Sequence, residues 1–249
     1  MLNIIIIGPK GTGKTTLCFG LLAYFIDQST AFANTTGVKE KTEVDMLEED
    51  RAFLKNGFFT IKRNIRFSPT NNLNSNQKRK DGYSRIEYAV SPELIKNITK
   101  QTRFEDNNPN RLLKIKYYDG PSYRSNSDDL KKFYEHFTHA NRAIFLIDFA
   151  RDDLDEEVSY IQDFINIIIM KKKKIPFCIL GMKKDIHKKE SAEFERFFRA
   201  NFNYTINSIR SRKPLLKFLS ISVGRDSGEQ LVYSPSGFED LIRWLFFLI

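Results

Sequence analysis

The chain has 249 residues, of which 41% are hydrophobic and 22 are phenylalanine, which excludes wholesale disorder and allows one sizeable domain or a tight pair. Its two cysteines, Cys18 and Cys178, each sit in an apolar run, which excludes a disulfide framework and predicts buried thiols in a reducing, cytoplasmic compartment. The net charge of +9 is concentrated, because residues 57–116 hold 13 Lys/Arg against 5 Asp/Glu, a balance of +8 that leaves the rest close to neutral.

The first element is Ile4-Ile5-Ile6-Ile7, a run expected of a strand buried on both faces in a parallel sheet. The run has no basic segment before it and ends at Gly8, so it does not read as a signal peptide. It leads directly into Gly8-Pro9-Lys10-Gly11-Thr12-Gly13-Lys14-Thr15-Thr16, which matches the phosphate-binding pattern G-x-x-x-x-G-K-[ST]. Glycines here let successive backbone N–H groups turn inward around phosphate oxygens. Lys14 supplies a point charge to the terminal phosphates, and the Thr15 hydroxyl is a ligand for Mg²⁺. An apolar helix from Lys14 to about Ile26, with Leu17, Cys18, Leu21, Leu22 and Phe25 on one stripe, directs its positive end at the same anion. Strand before and helix after make a chance turn a poor account of this stretch.

A second helix is expected from Thr42 or Glu43 to about Lys55, closed by Asn56-Gly57. Phe58-Phe59-Thr60-Ile61 suits a short strand, and the polar, basic stretch from Asn71 to Gly82 suits an exposed loop. Two period-two strands follow, Ser84 to Val90 and Leu113 to Asp119. The second ends on a carboxylate before Gly120-Pro121. Taken alone, Asp119 reads equally as a turn former. Beside a phosphate loop, a carboxylate at a strand's C-terminal tip reads as a Mg²⁺ ligand acting through water.

Strand and helix then alternate. Leu130, Phe133, Tyr134 and Phe137 mark a helix, and Ala143 to Phe149 a buried strand. A helix with an acidic first turn ends in Lys171 to Lys174, a polarity that suits its dipole better than a nucleic-acid patch. Ile175 to Met182 reads as a buried strand, Phe194, Phe197 and Phe198 as a helix face, and Leu215 to Val223 as the last strand. A closing amphipathic helix carries Phe238, Leu241, Ile242, Leu245 and Ile249, with Ser234 or Ser236 as its cap. No stretch is long enough to span a bilayer, there is no internal repeat, and the three histidines lack metal-ligand spacing.

Phe177-Cys178-Ile179-Leu180-Gly181-Met182-Lys183-Lys184-Asp185 is a buried strand ending in x-Lys-x-Asp. It resembles the guanine-recognition motif Asn/Thr-Lys-x-Asp, and Ser222-Val223-Gly224 resembles the segment whose backbone closes over the guanine oxygen. With the phosphate loop and Asp119, the order and spacing resemble the Ras-like, translation-factor-related class of P-loop GTPases over most of residues 2–249. The resemblance implies a three-layer α/β fold, with a mainly parallel six-stranded sheet between helices and one antiparallel strand. It implies a single domain over 1–249 with an enlarged basic insertion at about 27–111. It further implies that Asp185 accepts from the guanine donors, that the Lys183 stem lies along the base, and that the ligands are GTP or GDP with Mg²⁺. A threonine from the segment after the first helix completes the Mg²⁺ shell in that class; Thr35, Thr36 and Thr60 are the candidates, with Thr60 placed beside Lys14 in the catalytic set.

Departures from the pattern are specific. Met182 replaces the polar Asn or Thr, Asp119-Gly120-Pro121-Ser122 replaces Asp-x-x-Gly, and Tyr123 stands where a water-orienting Gln is usual. The Met182 departure implies weaker hold on guanine, and the Tyr123 departure implies slow hydrolysis unless an activator supplies a group. Three functions compete: a GTP-dependent switch, which the base motif favours; a P-loop ATPase or small-molecule kinase; and a module that holds nucleotide without turnover. The basic span 57–116 offers a surface to an acidic partner, whether a protein effector, nucleic acid or an anionic membrane surface, and a merely solvated loop is the plain alternative.

Overall fold

The computed structural model describes residues 2–9, 11–36, 44–46, 66–67, 84–90, 92–101, 113–119, 135, 137–151, 154–155, 158–159, 175–188, 190–201, 203, 207, 216–226 and 231–247. Strand β1 (Leu2–Ile7) lies at the centre of a seven-stranded sheet and pairs in parallel with β5 (Leu113–Asp119) on one side and β6 (Arg142–Asp148) on the other. Beyond β6 come β7 (Phe177–Met182) and β8 (Leu216–Ser220), both parallel. Beyond β5 lie β4 (Ser84–Val90), antiparallel, and then β2 (Val44–Met46) at the edge. The expected mainly parallel sheet is therefore present in β4-β5-β1-β6-β7-β8, and β2 lengthens one edge.

Alternation along these strands fills two cores. Ile4 and Ile6, with Ile144, Leu146, Cys178, Leu180 and Met182, face helix α1 (Lys14–Thr36), helix α2 (Pro92–Thr99) and the closing helix α5 (Phe238–Phe246). Ile5 and Ile7, with Phe145, Ile147, Phe177 and Ile179, face the opposite core, which takes Phe194 and Phe198 from α4 (Ser191–Asn201). Ile4, Ile5 and Ile6 are each 0% exposed, worth about 2 kcal/mol apiece in burial. This is the three-layer arrangement that an all-apolar parallel strand requires. Both cysteines are buried thiols, and burial pushes the Cys178 thiol up, so it stays protonated and inert at neutral pH.

Four local expectations are corrected. Helix α1 continues ten residues past Ile26 to Thr36. The polar stretch after Ile26 weakens the stripe but contains no breaker, and the first glycine or proline after Gly20 is Gly37. Within the supposed helix from Thr42 to Lys55, Val44–Met46 is the strand β2, held by pairing with Tyr88, Ala89 and Val90. An available sheet edge overrides local helix pattern there. The run Leu215–Val223 is not one strand: β8 ends at Ser220, Ile221 intervenes, and β9 (Ser222–Asp226) joins a separate three-stranded sheet with β10 (Leu231–Ser236) and β3 (Arg66–Phe67). Because β10 occupies Ser234 and Ser236, neither caps α5. The cap is Gly237, at φ 78° with no side-chain hydrogen bond.

Gly237 carries a testable consequence. A Cβ there would lie 2.5 Å from the Ser220 carbonyl oxygen, and the backbone is in the left-handed region. Gly237→Ala should therefore cost about 2–4 kcal/mol. In a chain of this size that lowers Tm by roughly 5–15 °C. A thermal scan showing a shift under about 2 °C would refute the assignment.

Leu241, Ile242, Trp244 and Leu245 of α5 are buried, and Phe246 and Phe247 pack on the same core, so this apolar end of the chain closes the core rather than facing outward. No described helix is long and apolar enough to cross a membrane. The strand expected at 58–61, the loop at 71–82, and Ser122, Tyr123 and His136 lie outside the described residues.

Candidate functional site

The C-terminal tips of the parallel strands converge on one edge. Strand β1 ends at Ile7, and Gly8 to Gly13 form the loop into α1. Gly11 and Gly13 sit at φ 84° and 87°, a conformation that turns adjacent N–H groups toward a common centre. Gly8 is pressed against the next strand: a Cβ there would meet the Leu146 carbonyl oxygen at 2.9 Å and Thr12 Oγ1 at 2.8 Å. Thr12 is buried and donates from Oγ1 to the Pro9 carbonyl at 2.9 Å, which fixes the loop's first turn.

Lys14 is 8% exposed, and its ammonium donates to the Gly8 and Pro9 carbonyls at 2.8 and 2.9 Å. A cation so buried needs partners. These carbonyls hold it folded back over the loop, at the N-terminus of a 23-residue helix. Cation, inward N–H groups and helix dipole all favour an anion at the same place. The cradle therefore fits the phosphates of a nucleotide.

Met182 ends β7 in register with Asp148 at the end of β6. It is 3% exposed, and its Cε lies 3.2 Å from where a Cβ on Gly13 would stand. Met182 therefore lies close against the phosphate loop at Gly13. Lys183 follows at φ 65°, ψ 41° in the left-handed region, and the short helix α3 (Lys184–His187) begins after it. The Lys184 amide donates to the Ile221 carbonyl at 3.0 Å, tying this turn to the β8–β9 junction.

Across that junction Ser222 Oγ lies 2.8 Å from Asp185 Oδ1 and 2.6 Å from the Gly224 carbonyl. A hydroxyl has one hydrogen, so it serves one acceptor at a time. The structure thus brings Asp185 and Ser222 together across 37 residues of sequence. Val223, 3% exposed, gives its side chain to the core that packs on α1.

Other expected residues stand as follows. The backbone of Asp119 is in register with Ile6, one residue before the end of β1. Thr16 is half-buried in the first turn of α1, with its Cβ 3.9 Å from the point where a Cβ on Gly13 would stand. Lys10, Thr60 and the side chains of Thr15 and Asp119 lie outside the described residues. Thr35 and Thr36 belong to the last turn of α1. At 1.5 Å rise per residue they stand about 30 Å along the axis from Thr15, which removes both as Mg²⁺ ligands. Among the described residues no group of three His, Cys, Asp or Glu could hold a metal ion.

Sequence reasoning missed Asp148 and Arg151. Asp148 is 3% exposed at the tip of β6, and its carboxylate accepts from Lys183 Nζ at 2.6 Å. Arg151 Nε lies 3.5 Å from the same carboxylate, and its Nη2 stands 3.3 Å from the Cβ position of Gly11. A carboxylate closing an apolar strand in an open α/β sheet was the signal available, since such tips line ligand crevices.

The fold is the α/β P-loop fold of GTPase domains. Its topology is matched over 99% of this chain and 100% of the other by the structure of the mammalian SRP receptor, at 17% identity and a TM-score of 0.50. The chain is also similar to the signal recognition particle receptor SRb of Chaetomium thermophilum. The SRb-GTP/SRX complex gives 16% identity, 98% and 97% coverage and a TM-score of 0.48, and SRb-GDP-Mg gives 12%, 100% and 100%, and 0.43. No protein-family model and no curated protein matches the chain.

Proposed function

We propose that this chain is a guanine-nucleotide-binding switch, a divergent relative of the Ras-like and translation-factor-related GTPases, with slow intrinsic hydrolysis. One observation carries the reading: Asp185, oriented by Ser222, stands on the same sheet edge as the Lys14 cradle. Adenine offers a carboxylate no matching pair of donors; guanine does. In this reading Gly8, Lys10, Gly11, Thr12, Gly13, Thr15 and Thr16 surround the phosphates, and Lys14 neutralises the terminal ones. Lys183, Asp185, Ser222 and Val223 enclose the base. Thr15 and Asp119 would hold Mg²⁺, which when bound neutralises charge on the terminal phosphates, with Thr60 as the remaining candidate for its shell.

Tyr123, in place of a water-orienting amide, is the reason for slow turnover. The same residue, with Ser122, favours the second reading, a module that holds nucleotide without hydrolysing it. The basic span 57–116 is the surface we assign to an acidic effector, and the two buried thiols suit a reducing, cytoplasmic compartment.

Nucleotide released from freshly purified chain and resolved by chromatography tests the function. GDP or GTP is expected; ATP or ADP alone refutes it. Single-turnover hydrolysis should run near the intrinsic rate of unassisted GTPases, on the order of 10⁻⁴–10⁻² s⁻¹. Rates of several per second from dilute protein would contradict the slow-switch assignment, and no hydrolysis at all would select the second reading.

A further inference from the structure

We infer that Asp148 is a positioning residue for nucleotide binding, its carboxylate fixing Lys183 beside the base. The inference rests on the guanine-nucleotide reading of the site. It starts from burial: the Asp148 side chain is 4% exposed, and a carboxylate taken out of water needs charged or hydrogen-bonding partners. Three are present. Lys183 Nζ lies at 2.6 Å, Ala150 N at 3.3 Å and Arg151 Nε at 3.5 Å. Distance ranks them, because the first is a short charge-assisted hydrogen bond and the last exceeds hydrogen-bond length.

Lys183 is the residue that gains most from being held. Its side chain is 41% exposed, so without an anchor the long stem would sample many rotamers. Its backbone occupies the left-handed region, where a residue with a Cβ persists only if its surroundings determine it. Parallel pairing of β6 with β7 puts Asp148 in register with Met182, the residue just before Lys183. Met182 itself is committed to the core and to Gly13, and a thioether is at best a weak acceptor. The polar tie between the β6 tip and the base turn is therefore the Lys183–Asp148 pair. Ordering the stem before nucleotide arrives removes an entropy cost from binding.

The test is a double-mutant cycle on the full chain with a fluorescent N-methylanthraniloyl-GDP, read as Kd and dissociation rate. Asp148→Asn keeps shape, and Lys183→Met keeps the stem. Each single change should weaken binding about tenfold, chiefly through dissociation, and the double should be no weaker than the poorer single. Asp148→Glu should retain part of the affinity that Asn loses, a rescue by charge that a purely structural role would not show. Additive losses, about a hundredfold in the double, overturn the inference while leaving the pocket intact. So does wild-type affinity in Asp148→Asn. If Asp148→Asn does not fold, the cycle is run with Asp148→Glu, where additivity with Lys183→Met has the same meaning. A wild-type chain that fails to bind the probe overturns the guanine reading itself, and this assignment with it.

Discussion

Lys14→Ala should abolish nucleotide binding. Its ammonium is almost fully buried and aimed over the loop by two backbone carbonyls. At about 4 Å from a phosphate, with an effective dielectric near 20, a unit charge is worth roughly 4 kcal/mol, about a thousandfold in affinity. Several phosphate charges share that cation, so the loss should be at least this large. Removing it also strands the Gly8 and Pro9 carbonyls at a cost of about 1–3 kcal/mol each. Calorimetric titration with GDP should show no detectable heat, and circular dichroism should confirm that the chain is folded. Binding within tenfold of wild type would remove the loop from the site.

The second large effect is on selectivity, through the loss of contacts that only guanine makes. Asp185→Ala should collapse the preference for GDP over ADP from about 10⁴ to near unity, because a polar pair built for one base edge rejects the unmatched base by that order. The substitution should leave stability nearly unchanged. Ser222 Oγ already has a second acceptor in the Gly224 carbonyl at 2.6 Å, so no buried hydroxyl is left unpaired. Competition between the two nucleotides for a fluorescent probe measures the ratio. Persistence of a hundredfold preference would place base recognition elsewhere.

The central sheet was legible because its strands are extreme. Ile4 to Ile7 and the run from Phe177 to Met182 are apolar on both faces and are followed by glycine or charge, so period, length and position agree. The glycine pattern of the phosphate loop is similarly overdetermined. What failed were features decided by distant partners. Val44–Met46 becomes a strand because the edge of β4 is open to it, some forty residues away. The break at Ile221 is invisible locally, since Leu215 to Val223 reads as one strand; it arises because β8 pairs with β7 while β9 pairs with β10. Asp148 went unremarked for a related reason: its significance depends on Lys183, 35 residues further on.

Strand order has a consequence for how the protein is made. The strand β1, which carries the phosphate loop, has no partner strand until β5 and β6 are synthesised; Leu2 pairs with Ile115 and Ile4 with Arg142. The turn with Asp185 follows, and Ser222 comes about 200 residues after Lys14. At ordinary translation speeds that is an interval of roughly 10–40 s. Until β5 and β6 have been made, a strand of consecutive isoleucines has both edges open, the composition most prone to pairing with the wrong chain. Nucleotide cannot protect it, because the pocket that would bind nucleotide is not yet complete. Shielding of the nascent strand cannot come from a bound nucleotide, which would stabilise only the finished fold.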